Sequence, residues 1–262
     1  RYMFYLTGGD GAGDNHLKNI VRLGGSASKL HLLLLLAAVN MDEQALTHLK
    51  ALLESMVYYS TVNQIKTNEL ERLYAQWCKQ IREIHTDEEL TSFINNKIKP
   101  TISQWKVNNR SNFMRIGFDS MQQYRVKFIL ARITKYVDVR RKNGGDASNV
   151  AEFYEGGIEI EHIMPQKYSA AYGISEDDYN ATKQRLGNLT LLEKTINASI
   201  GDDAFASKSE AYRQSAYYLT RSIAQLDDVG QQTAINRMNQ KLRSWSSWGP
   251  SMIEDRQAIL YD

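Results

Sequence analysis

Ile158-Glu159-Ile160-Glu161-His162-Ile163-Met164-Pro165-Gln166 begins as a strict apolar–acidic alternation and is stopped by a proline. A period of two is the mark of a half-buried strand, and proline cannot continue a hydrogen-bonded ladder. Gly187-Asn188-Leu189-Thr190-Leu191-Leu192 offers a second short strand, and Glu193 to Asn197 opens a helix expected to end near Gly201. Strand, loop, strand, helix is a ββα arrangement with a core of about residues 156–201. It would gather Glu161, His162, Asn188 and Asn197 at one end.

Those four residue types form a kit for phosphodiester hydrolysis. The reaction needs an activated water and a cation against the developing negative charge. A neutral imidazole is the natural base near pH 7. A hard cation takes a carboxylate and one more oxygen ligand, with water and phosphate filling the rest.

The pattern resembles a known family. Glu161-His162-Ile163-Met164-Pro165-Gln166 is similar to the first HNH nuclease motif: an acid, then His, then Pro three positions on. Asn188-Leu189-Thr190-Leu191-Leu192 is similar to the central N-L-x-x-L motif, and Asn197 falls at the third position. With Phe205-x-x-Lys208-x-x-x-Tyr212 and Ile235-x-Arg237 through Trp245, the stretch resembles the C-terminal nuclease domain of the GmrSD type IV restriction enzymes. SspE-like defence proteins carry a related domain. The resemblance implies a metal-dependent DNA endonuclease, the effector part of an anti-phage restriction protein. Its sensor/NTPase domain would lie outside this chain. It implies His162 as general base, Asn188 orienting the His162 ring, and Glu161 with Asn197 holding one divalent ion. Asn at the third position favours Mg²⁺ or Mn²⁺ over softer Zn²⁺. The alternative is a catalytically inactive DNA-binding or assembly module that keeps the HNH scaffold.

One geometric condition follows. Adjacent residues on a straight strand point to opposite faces. Glu161 and His162 can serve one phosphate only if the chain bends there, so the strand is expected to end or kink at 161–162, with Pro165 part of the turn.

Working outward, the chain reads as mainly α, a helical bundle followed by an α-helical domain that contains the small ββα motif. Residues 1–105 form the bundle or connector, and residues 106–262 the nuclease domain. Residues 7–13, TGGDGAG, lack the lysine of a P-loop and read as a loop. Ser28 is a candidate cap for a helix to about Val39. Apolar stripes through Leu46–Val57 and Leu70–Ile84 mark further core helices. Thr86 and Glu89 form a capping box for a helix ending before Pro100. A helix from about Ser111 to Tyr136 is expected, then two more at about 204–222 and 228–247.

Composition is that of an ordinary globular chain: 262 residues, 42% hydrophobic, 24% charged, three prolines and a net charge of +2. The basic residues cluster. Between Lys97 and Lys142, twelve cations face two acids, a net of +10. That stretch suits phosphate contacts or a solvated face balanced in space. Arg140, Arg141 and Lys142 are DNA-contact candidates, and so is Lys208, whose other reading is a helix-surface lysine. Glu159 shares a face with Glu161 and reads as a distant ligand or a solvated carboxylate. The single Cys78 lies on an apolar stripe, which excludes an intrachain disulfide and points to a core thiol. No run spans a bilayer. The cytoplasm is the expected compartment, and a homo-oligomer is an open possibility.

Overall fold

The computed structural model describes residues 14–25, 29–228 and 230–262. The Ser28 cap and the 7–13 loop lie outside them. The chain divides into two compact units, Arg1–Phe113 and Met114–Asp262. Both are mainly helical, and no helix among the described residues is long and apolar enough to cross a membrane.

In the first unit, α1 (Asn15–Gly24), α2 (Leu30–Ala37), α3 (Glu43–Val62) and α4 (Thr67–Arg82) bury one apolar face each. Leu34, Leu35, Leu46, Leu49, Leu53, Met56, Trp77 and Ile81 form its core, with Cys78 buried beside them. The Thr86–Glu89 capping box starts α5 (Asp87–Phe93). The helix does not end before Pro100 as expected. A π turn over Ile94–Ile98 leads into α6 (Lys99–Lys106), with Pro100 in its first turn. Proline lacks an N–H and crowds the carbonyl four residues back; the wider turn ahead of it relieves both. A short α7 (Asn109–Phe113) closes the unit.

The second unit departs from the expected 111–136 helix. Residues 114–122 are not helical, and α8 runs Gln123–Arg141. Gly117 is the reason. It forms a bridge with Arg185, and a Cβ on it would stand 2.7 Å from the Gln184 carbonyl oxygen. Phe118 N donates to that oxygen and Leu186 N to Ile116 O. The crossing delivers Phe118 to the site described below.

After α9 (Glu152–Glu155), β1 (Ile158–His162) pairs antiparallel with β2 (Leu189–Glu193), with α10 (Glu176–Lys183) between them in sequence. Lys127 on α8 donates to Ile158 O at the start of β1. α11 (Lys194–Ile200) follows β2 at once and packs on both strands.

The expected 204–222 helix is two helices, α12 (Phe205–Tyr212) and α13 (Tyr218–Ala224). The Glu193 carboxylate at the end of β2 opens the gap by accepting from Ser215 Oγ and Ala216 N. Among the described residues of the expected 228–247 helix, only α14 (Ala234–Asn239) is helical. The sequence reading did not anticipate α15 (Pro250–Tyr261), which has proline in its first turn, where the missing N–H is harmless. α15 packs on the turn at 186–188. Gly187 is obligatory there, since a Cβ would lie 2.0 Å from Ile253 O.

Candidate active site

Pairing continues straight through the Glu161-His162 step. Glu161 stands opposite Thr190 and His162 opposite Leu189, and Ile163 N still donates to Asn188 O at 2.9 Å. β1 ends at His162, one of the two outcomes expected there, but the pairing shows no kink before that end. The two side chains therefore take different partners, as strand alternation requires.

Glu161 turns inward to α12. Its Oε1 accepts from Lys208 Nζ at 2.7 Å and from the Tyr212 hydroxyl at 2.8 Å. Lys208 and Tyr212 are one helical turn apart and share a face. Lys208 Nζ also donates to the His162 carbonyl at 2.7 Å. Glu161, His162, Lys208 and Tyr212 are all buried. Burial pushes the Glu161 carboxyl upward, while the Lys208 ammonium and Tyr212 hydroxyl favour its charged form. Burial and the neighbouring carboxylate hold the Tyr212 hydroxyl well above the usual phenol range, so it acts as a donor.

His162 packs on the other side. The edge of its ring meets Phe118, centroids 4.8 Å apart. Nδ1 lies 3.3 Å from the Gln166 amide nitrogen. Nε2 is buried without a hydrogen-bond partner, and so is Gln184 Oε1. Gln184 nevertheless faces the ring closely enough to raise the imidazole pKa. Burial first, and the Lys208 charge next, outweigh it and carry His162 down to about 4. The ring is neutral at pH 7. The Gln166 amide nitrogen beside Nδ1 favours the Nε2–H tautomer, which leaves Nδ1 as the basic nitrogen.

Asn188 makes no hydrogen bond to the ring. Its Oδ1 accepts from Met164 N and Trp248 Nε1, and its Nδ2 donates to Met164 O and Lys183 O. All four bonding positions of the amide are used, so it orders the 162–165 segment through the main chain rather than orienting the imidazole.

Asn197 is on the sheet face of Glu159 and donates to Glu159 Oε2 at 2.9 Å. The arrangement does not fit a divalent ion between Glu161 and Asn197. An ammonium and a phenol already occupy the Glu161 oxygen, and Asn197 turns to a different carboxylate. Among the described residues no group of three His, Cys, Asp or Glu side chains could hold a metal.

The basic candidates separate. Lys208 is 1% exposed, which removes it as a phosphate contact. Arg141 pairs with Asp227 and covers the Tyr218 ring. Arg140 lies over Tyr136, and both Arg140 and Lys142 are exposed at the end of α8. Lys127, Arg132 and Lys135 are likewise engaged within the fold, with Ile158 O, Ala147 O and Glu152.

The family model for the GmrSD restriction endonuclease C-terminal domain matches residues 106–262. The chain belongs to this family. No curated protein matches the chain. In this GmrSD C-terminal domain an open cleft of about 480 Å³ begins at Pro165, three residues past His162. Lys167, Tyr168, Tyr172, Asp202 and Trp248 line it. Asp202 accepts from Gln166 N, so Gln166 stands between the cleft and the imidazole.

Sequence reasoning gave no site role to Phe118 or Gln184, and quoted Tyr212 only as part of the Phe205–Tyr212 motif. Tyr212 carried a usable signal, since Lys208 and Tyr212 are spaced i, i+4 on one helix face. Phe118 and Gln184 carried none, because a chain crossing brings them in.

Proposed function

We propose that residues 114–262 hydrolyse phosphodiester bonds of DNA, with His162 as general base. The observation that carries this reading is the state of the His162 ring, a neutral buried imidazole held between Gln166, Gln184 and Phe118 at the family's H-x-x-P position. Nδ1 takes a proton from the attacking water, an O–P bond forms, and the bridging O–P bond breaks with its electron pair going to the leaving 3′ oxygen, which takes a proton from solvent. Gln166 is an exposed side chain and must swing aside to admit that water. The domain would be the cutting part of an anti-phage restriction protein, with recognition and nucleotide hydrolysis supplied by a sensor domain.

The resemblance implies Mg²⁺ or Mn²⁺. Since Glu161 and Asn197 as arranged do not fit the ion, no step is assigned to it. The test is plasmid nicking with Mg²⁺, with Mn²⁺ and with EDTA, for the chain and for His162→Ala. Nicking lost in His162→Ala supports the reading, and the EDTA arm decides the metal requirement. A second reading is an inactive DNA-binding scaffold, favoured by the burial of His162 to 3% exposure. It predicts salt-sensitive DNA binding with no nicking under any of these conditions.

A further inference from the structure

We infer that Lys208 is a positioning residue for His162, and that Glu161 is its counter-ion rather than a metal ligand. This rests on His162 being the base. Lys208 Nζ makes two bonds in a fully buried setting, one to Glu161 Oε1 and one to the His162 carbonyl, each 2.7 Å. Tyr212 reaches the same Glu161 oxygen at 2.8 Å. One helix face thus grips two consecutive residues of β1, the first by its side chain and the second by its main chain.

Burying an ammonium and a carboxylate is a poor way to gain stability, since an apolar pair of the same size often does as well. The ion pair supplies direction. Successive strand residues project to opposite faces, so the rotation of β1 about its own axis sets where the His162 ring points. Two bonds on two adjacent residues fix that rotation. The ring itself is left free of the clamp, with Gln166 and Phe118 as its neighbours.

The arrangement also answers what stands at the family's acidic position. A divalent ion attracted to Glu161 would have to displace a cation already in contact with it, inside a core closed to solvent. The fixed ammonium takes the place in charge, though not in coordination, that the resemblance gives to a metal.

The test uses the full chain with three variants, Glu161→Gln, Lys208→Met and the double variant Glu161→Gln/Lys208→Met. Each is followed by thermal unfolding, by the His162 imidazole resonances assigned through their loss in His162→Ala, by Mn²⁺ binding in calorimetry, and by plasmid nicking. Lys208→Met alone strands the carboxylate and is expected to unfold at a lower temperature. The double variant removes both charges and is expected to regain most of that loss. In the folded double variant the His162 resonances shift and nicking falls at least tenfold, while Mn²⁺ binding of Glu161→Gln matches the parent chain. Loss of Mn²⁺ binding in folded Glu161→Gln overturns the assignment of Glu161. Unchanged His162 resonances in the double variant overturn the role of Lys208. If the parent chain never nicks DNA, the proposed activity fails by itself, and the resonances and Mn²⁺ titration still decide the inference.

Discussion

Asn188 holds Met164 from both ends: its Oδ1 accepts the Met164 N–H at 2.6 Å and its Nδ2 donates to the Met164 carbonyl at 3.1 Å. The side chain acts as a backbone segment would, extending the ladder past the end of β1 just where Pro165 forbids its natural continuation. Asn188→Ala removes four hydrogen bonds, three of them buried, and strands Met164 N and Trp248 Nε1. The expected loss is about 2–4 kcal/mol, read as a lower denaturation midpoint with faster proteolysis at residues 163–168. A loss below half a kcal/mol would show that water or a neighbour replaces the amide easily.

The His162 pKa of about 4 makes a statement about acid stability. The unfolded chain binds a proton near the ordinary histidine value of 6.5 and the folded chain only near 4, so between these pH values the unfolded state holds more protons. The contribution is complete above pH 6.5, declines as pH falls, and is gone below about 4. The window is worth about 3 kcal/mol. His31 in the first unit, also carried down to about 4 by burial, adds a similar slope there. Denaturation from pH 7 to 4 is expected to be less steep in His162→Gln than in the parent chain, and proton resonances of the His162 ring should show no titration near 6.5.

Gly187→Ala is expected to be the most damaging single-methyl change in the second unit. The added carbon would sit 2.0 Å from Ile253 O and 3.0 Å from the Gln257 backbone, with no flexible side chain to yield. α15 must shift, and with it the Arg256 bonds to Gly187 O and Leu189 O. A destabilisation above about 3 kcal/mol is expected from such overpacking, together with loss of nicking. Alanine at solvent-facing Gly144, where nothing lies within 4 Å, is the matched control.

DNA affinity should distinguish the cations that sequence alone could not separate. Arg140→Ala and Lys142→Ala remove exposed charges and are expected to lower the slope of log affinity against log salt by about 1 for each lost phosphate contact. Arg141→Ala should act through stability instead, because its guanidinium pairs with Asp227. Titrations of duplex DNA at several salt concentrations, beside unfolding curves, check both. A slope unchanged in the Arg140→Ala/Lys142→Ala double variant would place the DNA elsewhere.

The elements legible in the sequence were those whose cause is local. The Thr86–Glu89 box, the Leu46–Val57 stripe and the two strands around Ile160 and Leu191 each carry their signal within a few residues, and each is present. The misses have distant causes. Nothing near Gly117 announces that Gln184 will pass against it, and nothing near Ser215 announces the Glu193 carboxylate. The same holds in the site. Proximity of Glu161, His162 and Asn188 follows from the strand pairing, but what each side chain faces is set from α12, α15 and the 116–118 crossing.

The grip of α15 and Trp248 on the turn at 186–188 sets an order of assembly. Trp248, Arg256 and Gln257 reach back 60 to 70 residues to Asn188 and Gly187. On a growing chain, both strands and the imidazole emerge well before the residues that clamp them. The bonds of Trp248, Arg256 and Gln257 form only once residues 248–257 have been made and docked, so on the proposed function a newly synthesised chain would not cut DNA in that interval. A truncation before Trp248 would leave every motif residue in the sequence, and under the proposed function it is expected to abolish nicking.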